Sequence, residues 1–243
     1  LLIALLVMFL NTAAFLLGGG LLHVLHYRRR SAGEEPWKYQ PGKSVSRAEA
    51  WGMLPLVLLN AVIVNGAIGA SVALILGGHT QAFFTLEEHS ALYAGFSTVA
   101  VFVWYHVMLY YWHRRMHQPD LFRRFHHVHH KHKAPIWLDA LYEHPLEAAW
   151  GGVVILTPLF LFPIWAYGYF VFLAVMGAHE VLDHAGIKLD LPVPLLSSSR
   201  GHDEHHRRSN VYFGQLLPLL DWLHKTTQVH ARGRDGDRPA ARA

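Results

Sequence analysis

Three runs without a single Asp, Glu, Lys or Arg constrain this chain more than any other feature: Leu1–Tyr27, Trp51–Gly78 and Ala91–Trp112. Each is long enough for the about 20 apolar residues that one helical crossing of a bilayer takes. In hydrocarbon, a helix satisfies every backbone N–H and C=O inside its own segment. Three transmembrane helices are therefore expected. The first run is too long for the apolar part of a signal peptide, and no small-residue cleavage site follows it. The chain begins at Leu1 rather than Met, so a few residues are expected to precede it.

Ala148–Ala178 is also uncharged but is interrupted by Pro158 and Pro163. It falls between one crossing and the roughly 40 residues of two. The expectation is a shallow helical hairpin, bent near Thr157–Pro163, that enters and leaves on one face.

Orientation follows from the basic residues. All 21 Lys and Arg lie between the first two crossings, between His113 and Glu147, or after Glu180. None lies between crossings two and three, so the positive-inside rule puts the three basic regions on the cytoplasmic side. The expected fold is an all-α membrane protein, with three transmembrane helices, the shallow hairpin and a cytoplasmic helical histidine-rich cap. In domain terms, residues 1–112 carry the transmembrane helices and a cytoplasmic loop at 28–50. Residues 113–230 form a histidine-rich region containing the hairpin 148–178, and 231–243 form a disordered tail. Leu191–Pro194 (LPVP) reads as an extended connector. The protein is expected to be a multi-pass integral membrane protein, of the endoplasmic reticulum in a eukaryote or the inner membrane in a bacterium.

The chemistry is concentrated in histidine, of which there are 20, and there is no cysteine. Thiolate metal sites, disulfides and cysteine nucleophiles are excluded. Three clusters stand out: HRRMH at His113–His117, HHVHH at His126–His130 and HDEHH at His202–His206. Residues three and four apart share a helix face. His113 with His117, His126 with His129 and His130, and His202 with His205 and His206 are thus expected to point together. One such histidine at a membrane edge is an ordinary interfacial residue. Eight at ligand spacing favour metal and exceed what one ion can use. Nitrogen-rich sites suit Zn, Cu, Ni and Fe. The count argues against a single zinc, and neither HHVHH nor HDEHH has the Glu of a helical HExxH protease site. Two irons on neutral imidazoles would leave positions open for dioxygen, as an oxygenase needs.

The three clusters, with YYWHRRMH, EHPLE at Glu143–Glu147, DHAG at Asp183–Gly186 and VYFGQLLPLLDWLHKT after HDEHH, resemble the fatty acid hydroxylase and sterol desaturase superfamily. The similarity runs over roughly Val101–Thr226, and HPLE and DHAG look most like its sterol C4-methyl oxidase branch. The resemblance implies a membrane-bound non-haem diiron oxygenase. It would use two Fe ions, O2 and two external electrons to hydroxylate or desaturate an unactivated C–H bond of a lipid. Carried over position by position, it makes His113, His117, His126, His129, His130, His202, His205 and His206 metal ligands. His184 in DHAG matches a further family ligand, with His179 as its rival. His144 could bind metal or support a ligand. His106 stands where relatives commonly carry Asp, and could bind metal or hold a ligand in place.

Asp139, Glu143, Glu147, Glu180 and Asp183 are candidate acceptors for the ligands' second N–H groups, while Asp203 and Glu204 are expected to face away from metal. There is no haem attachment pattern or Gly-rich dinucleotide turn, so electrons are expected from a donor such as cytochrome b5 or a ferredoxin with its reductase. The substrate is expected to be lipophilic, a sterol, terpenoid or fatty acyl lipid entering from the bilayer; no nucleic acid partner is indicated. The rival reading is a non-catalytic membrane protein that binds or transports metal, which would need histidines along a path through the membrane.

Overall fold

The computed structural model describes residues 1–28, 35–189 and 199–227. The expected connector Leu191–Pro194 and the tail 231–243 lie outside the described residues. Among the described residues, three helices are long and apolar enough to cross a membrane: α1 (Leu2–Leu22), which continues through a π-helical turn at His23–Arg28, α2 (Arg47–Leu76) and α3 (Ala91–Met116). Their ends are set locally. Ser46 Oγ accepts from the Glu49 N–H, and Glu49 Oε2 accepts from the Ser46 N–H, a reciprocal pair that satisfies two orphan donors at the start of α2. Ser90 Oγ likewise accepts from the Tyr93 N–H at the start of α3.

The hairpin departs from the expectation. It consists of α5 (Pro145–Leu156), a further turn α6 (Pro158–Leu161), the strand β2 (Ile164–Trp165) and α7 (Ala166–Asp183). At its tip, β2 pairs in parallel with β1 (Ala82–Phe83), which sits in the loop joining α2 to α3. That loop is at the opposite end of α3 from His113, so the hairpin is not shallow and rises the full height of the bundle. Counting only the charge-free stretch 148–178 understated it. The arms extend from Pro145 to Asp183 and take in Glu147 and Glu180, close to the roughly 40 residues of two crossings. The two strands were likewise not expected.

α2 packs along α5 and α1, and α3 along α7. The main core lies between α3 and the hairpin, where Val101, Tyr105, Leu159, Tyr169, Phe172 and Met176 are buried. A second core joins Met53 and Val57 of α2 to Ile136 and Leu138. The outer faces of the long helices leave large apolar side chains bare, among them Phe9, Leu17, Val62, Leu92 and Phe96, as suits a lipid-facing surface.

α1 is held against the loop region by a glycine. A Cβ built on Gly19 would lie 2.1 Å from Cε3 of Trp137. Gly19→Val should therefore force the indole aside and lower stability by about 1–3 kcal/mol. An unchanged melting temperature of the detergent-purified variant would contradict this close approach.

Candidate metal centre

Short elements with different helical twists carry the histidines. His113 is in the last turn of α3 and His117 caps it. One turn, α4 (Pro119–Leu121), then leads into a π-helical turn at Phe122–His126, and His129–Lys131 forms a 3-10 turn. His184 caps α7, and α8 (Ser199–Arg208) carries His202, His205 and His206. These nine histidines gather in two groups. His113, His117, His126, His130 and His205 form one; His129, His184, His202 and His206 form the other. Within each group the ring nitrogens lie within 4.8 Å of one another.

The grouping cuts across the sequence clusters. His129 leaves His126 and His130, and His205 leaves His202 and His206. His126 ends the π-helical turn, and the 3-10 turn that follows sets the adjacent His129 and His130 toward different groups; within the regular helix α8 the adjacent His205 and His206 divide in the same way. HHVHH and HDEHH therefore each supply both groups, whereas His113 and His117 of HRRMH both belong to the first.

The hydrogen bonds fix which nitrogen is bare in five of these rings. Nδ1 of His113 donates to the Phe213 carbonyl (2.8 Å), that of His205 to the Val211 carbonyl (2.7 Å) and that of His206 to the His132 carbonyl (3.1 Å). His184 Nδ1 donates to the Glu180 carbonyl (2.8 Å), and His126 Nδ1 to Glu147 Oε2 (2.5 Å). A carbonyl only accepts, so Nδ1 carries the proton and a neutral ring's Nε2 is a lone pair. These lone pairs point at neighbouring ring nitrogens. Nε2–Nε2 separations are 3.1 Å for His113–His126, 3.0 Å for His130–His205, 2.8 Å for His184–His202 and 3.1 Å for His202–His206.

The two lone pairs of His113 and His126 cannot hydrogen-bond, His202 can give a proton to only one of His184 and His206, and protonation of the rings is disfavoured. Burial first, then neighbouring imidazoles, pushes His129, His130, His202, His205 and His206 well below the ordinary histidine range. A cation resolves the conflict. Nitrogens bound to one ion at 2.0–2.1 Å and about 90–110° apart are about 3 Å from each other, which matches these separations. The donor set therefore fits a metal in each group.

A 150 Å³ cavity touches both groups, lined by His113, His126, His129, His184 and His202 together with Glu143, Glu147 and Glu180. Asp183 Oδ2 is 3.5 Å from His202 Nδ1. Carboxyl groups thus border the neutral imidazoles, where they could balance the charge of two cations. Asp203 and Glu204 are turned elsewhere: Asp203 accepts from Gln40 Nε2 (3.1 Å), and Glu204 pairs with Arg207 and Arg208.

The other candidates stand outside the groups. His144 caps α5, its Nδ1 accepting from the Leu146 N–H (3.2 Å). His106 Nδ1 donates to the Phe102 carbonyl (2.6 Å) rather than to any ligand. His179 is only half-buried, and its Nδ1 has no partner among the described residues. His127 is exposed. His132 is buried, donates from Nδ1 to Asp139 Oδ1 (2.7 Å) and lends its carbonyl to His206.

Sequence reasoning missed the strap between α1 and α2. Gln40 Nε2 donates to the Lys133 carbonyl (2.6 Å) and to Asp203; Lys38 bridges to Ile187; Tyr27 OH donates to the Ala185 carbonyl (2.8 Å). The strap ties together three segments that carry candidate ligands. A lone Gln in a polar loop gives no periodic signal that could have flagged it.

A fatty acid hydroxylase family model matches residues 98–226. The chain is 33% identical to human fatty acid hydroxylase domain-containing protein 2 over 134 residues, covering 49% of this chain and 35% of that protein. It is 28% identical to the C-4 methylsterol oxidase of Schizosaccharomyces pombe, over 79% of this chain and 67% of that one. It is 25% identical to the Delta(7)-sterol 5(6)-desaturase of Leptosphaeria maculans, over 60% and 41%. The chain thus spans well under two thirds of the human relative's length. No solved structure matches it.

Proposed function

Because the chain belongs to the fatty acid hydroxylase family, we propose that it is a membrane-bound non-haem diiron oxygenase that hydroxylates or desaturates a C–H bond of a lipophilic substrate. The observation that carries this reading is the facing of bare Nε2 atoms in two adjoining groups beside a cavity. In it, His113, His117, His126, His130 and His205 hold one iron and His129, His184, His202 and His206 the other. When bound, the pair would supply dioxygen activation with two external electrons. The protein's own part is positional. Backbone carbonyls and Glu147 fix the imidazole tautomers. Tyr105, Leu109, Trp112 and Ile155 give the cavity its apolar walls. The relatives named for sterol chemistry favour a sterol-like or other elongated lipid, delivered from the bilayer.

In the same proposal the metal groups lie on the cytoplasmic side of the membrane. Arg115, Arg123, Arg124, Lys131 and Lys133 are exposed on the segments that carry the histidines. They suit an acidic electron donor such as cytochrome b5, or a ferredoxin with its reductase. A metal-transport reading is disfavoured because the nine histidines collect at one end of the bundle instead of along a path through it.

Metal analysis of the purified protein tests the proposal. Two irons per chain and reductant-driven O2 uptake coupled to an oxidised lipid are expected. Zinc alone, with no O2 uptake under reduction, would overturn it. Comparing the lipids of cells with and without the protein would then name the substrate.

A further inference from the structure

A second, larger cavity of 540 Å³ lies between α1, α2 and α7, within the range of pockets that hold lipid-sized ligands. It shares Val64, Tyr105, Leu141, Ile155 and Glu180 with the cavity at the histidines, so the two adjoin. Phe15, Leu21, Ile68, Phe172 and Met176 give it apolar walls, and Asn11 of α1 and Asn65 of α2 break that surface.

The hydrogen bonds orient both amides. Asn65 Nδ2 donates to the Ala61 carbonyl (2.8 Å), which leaves Asn65 Oδ1 to accept from Asn11 Nδ2 (2.7 Å). Asn11 Oδ1 then accepts nothing among the described residues. It is turned toward Gly177 of α7, where a Cβ would be 3.6 Å away. The glycine leaves open the space in front of this oxygen, in a wall otherwise poor in polar groups.

We infer that Asn11 is a specificity-determining residue, whose Oδ1 accepts a hydrogen bond from a hydroxyl on the lipid substrate. The inference rests on the lipid-oxygenase reading and adds a substrate class to it: an elongated lipid alcohol, in preference to the matching ether, ester or hydrocarbon. An ether or ester oxygen has no proton to donate to Oδ1. Position follows as well. His184 is seven residues beyond Gly177 on α7, roughly 10 Å along the axis at about 1.5 Å per residue. The hydroxyl is thus remote from the oxidised carbon, not adjacent to it. Both asparagines lie in the membrane helices outside residues 98–226, the part matched by the family model.

The plainer role of an Asn–Asn bond between apolar helices is to glue them together, and the test separates the two. Binding of hexadecanol and of its methyl ether to the purified full chain would be measured in nanodiscs, without reductant or turnover. The wild type should bind the alcohol about five- to tenfold more tightly, as one net hydrogen bond allows. Asn11→Leu should erase that preference and leave ether affinity unchanged. Gly177→Val, which crowds the oxygen without touching the Asn11–Asn65 bond, should do the same if Asn11→Leu fails to fold. Equal binding of alcohol and ether by the wild type, or a preference that survives in a folded Asn11→Leu or Gly177→Val protein, overturns the inference. Failure of the oxygenase reading would show instead as missing iron and O2 uptake, which this measurement does not use.

Discussion

Alanine at His129 or at His205 is expected to reduce turnover to background, and the two variants should lose metal differently. Both side chains are buried, His205 completely, so neither can be replaced by a passing surface group. Loss of a mere supporting partner commonly costs about 10- to 100-fold in metal affinity or activity, and loss of a ligand should cost more. His129→Ala leaves three histidines in its group, whereas His205→Ala leaves four in the other. Iron content should therefore fall toward one per chain in His129→Ala and less far in His205→Ala, with activity absent from both. His127→Ala, at an exposed ring in the same segment, is the control and should retain both. The rivalry between His184 and His179 is decided by the same assay. His184 has its Nε2 2.8 Å from that of His202 and 3.4 Å from that of His129, while His179 belongs to neither group. Metal loss is expected for His184→Ala alone. Full turnover in His129→Ala or His205→Ala would remove the ligand assignment, and with it the proposed chemistry.

What could be read from the sequence is the part written in composition and fixed spacing. Charge-free runs give the three long helices because hydrocarbon tolerates little else, and HxxHH spacing singles out the histidines. Their division between two sites was not legible. In HHVHH it accompanies the change from π-helical to 3-10 twist between His126 and His130, which no residue pattern marks, and in HDEHH it arises within one regular helix, where His205 meets His130 while His202 meets His184. The hairpin's height was misjudged for a different reason. Glu147 and Glu180 flank the charge-free stretch in the sequence, yet both lie within the hairpin's arms, Glu147 because its carboxylate is taken up by His126. A charge paired in this way no longer marks the edge of a buried segment.

The same principle makes Asp139 a sharp test of how the site is held. Its side chain is fully buried, in the turn Trp137–Ala140. Oδ1 accepts from His132 Nδ1 and Oδ2 from the Ile136 N–H (2.8 Å). Burial pushes the carboxyl upward, and these donors pull it back. Asp139→Ala would leave both donors unsatisfied in a closed interior, and breaking a buried pair from one side costs about 3–5 kcal/mol. Asp139→Asn keeps the shape and one acceptor, so it should cost roughly half as much. The loss should reach the metal. His132 presents the carbonyl that orients His206, so the group of His129, His184, His202 and His206 should weaken before the group of five. Melting temperature and iron per chain, measured together on both variants, read the two effects. If Asp139→Ala melts like the wild type, the buried pair is not what holds this loop. If it melts early yet binds both irons with unchanged affinity, His206 does not depend on the His132 carbonyl for its orientation.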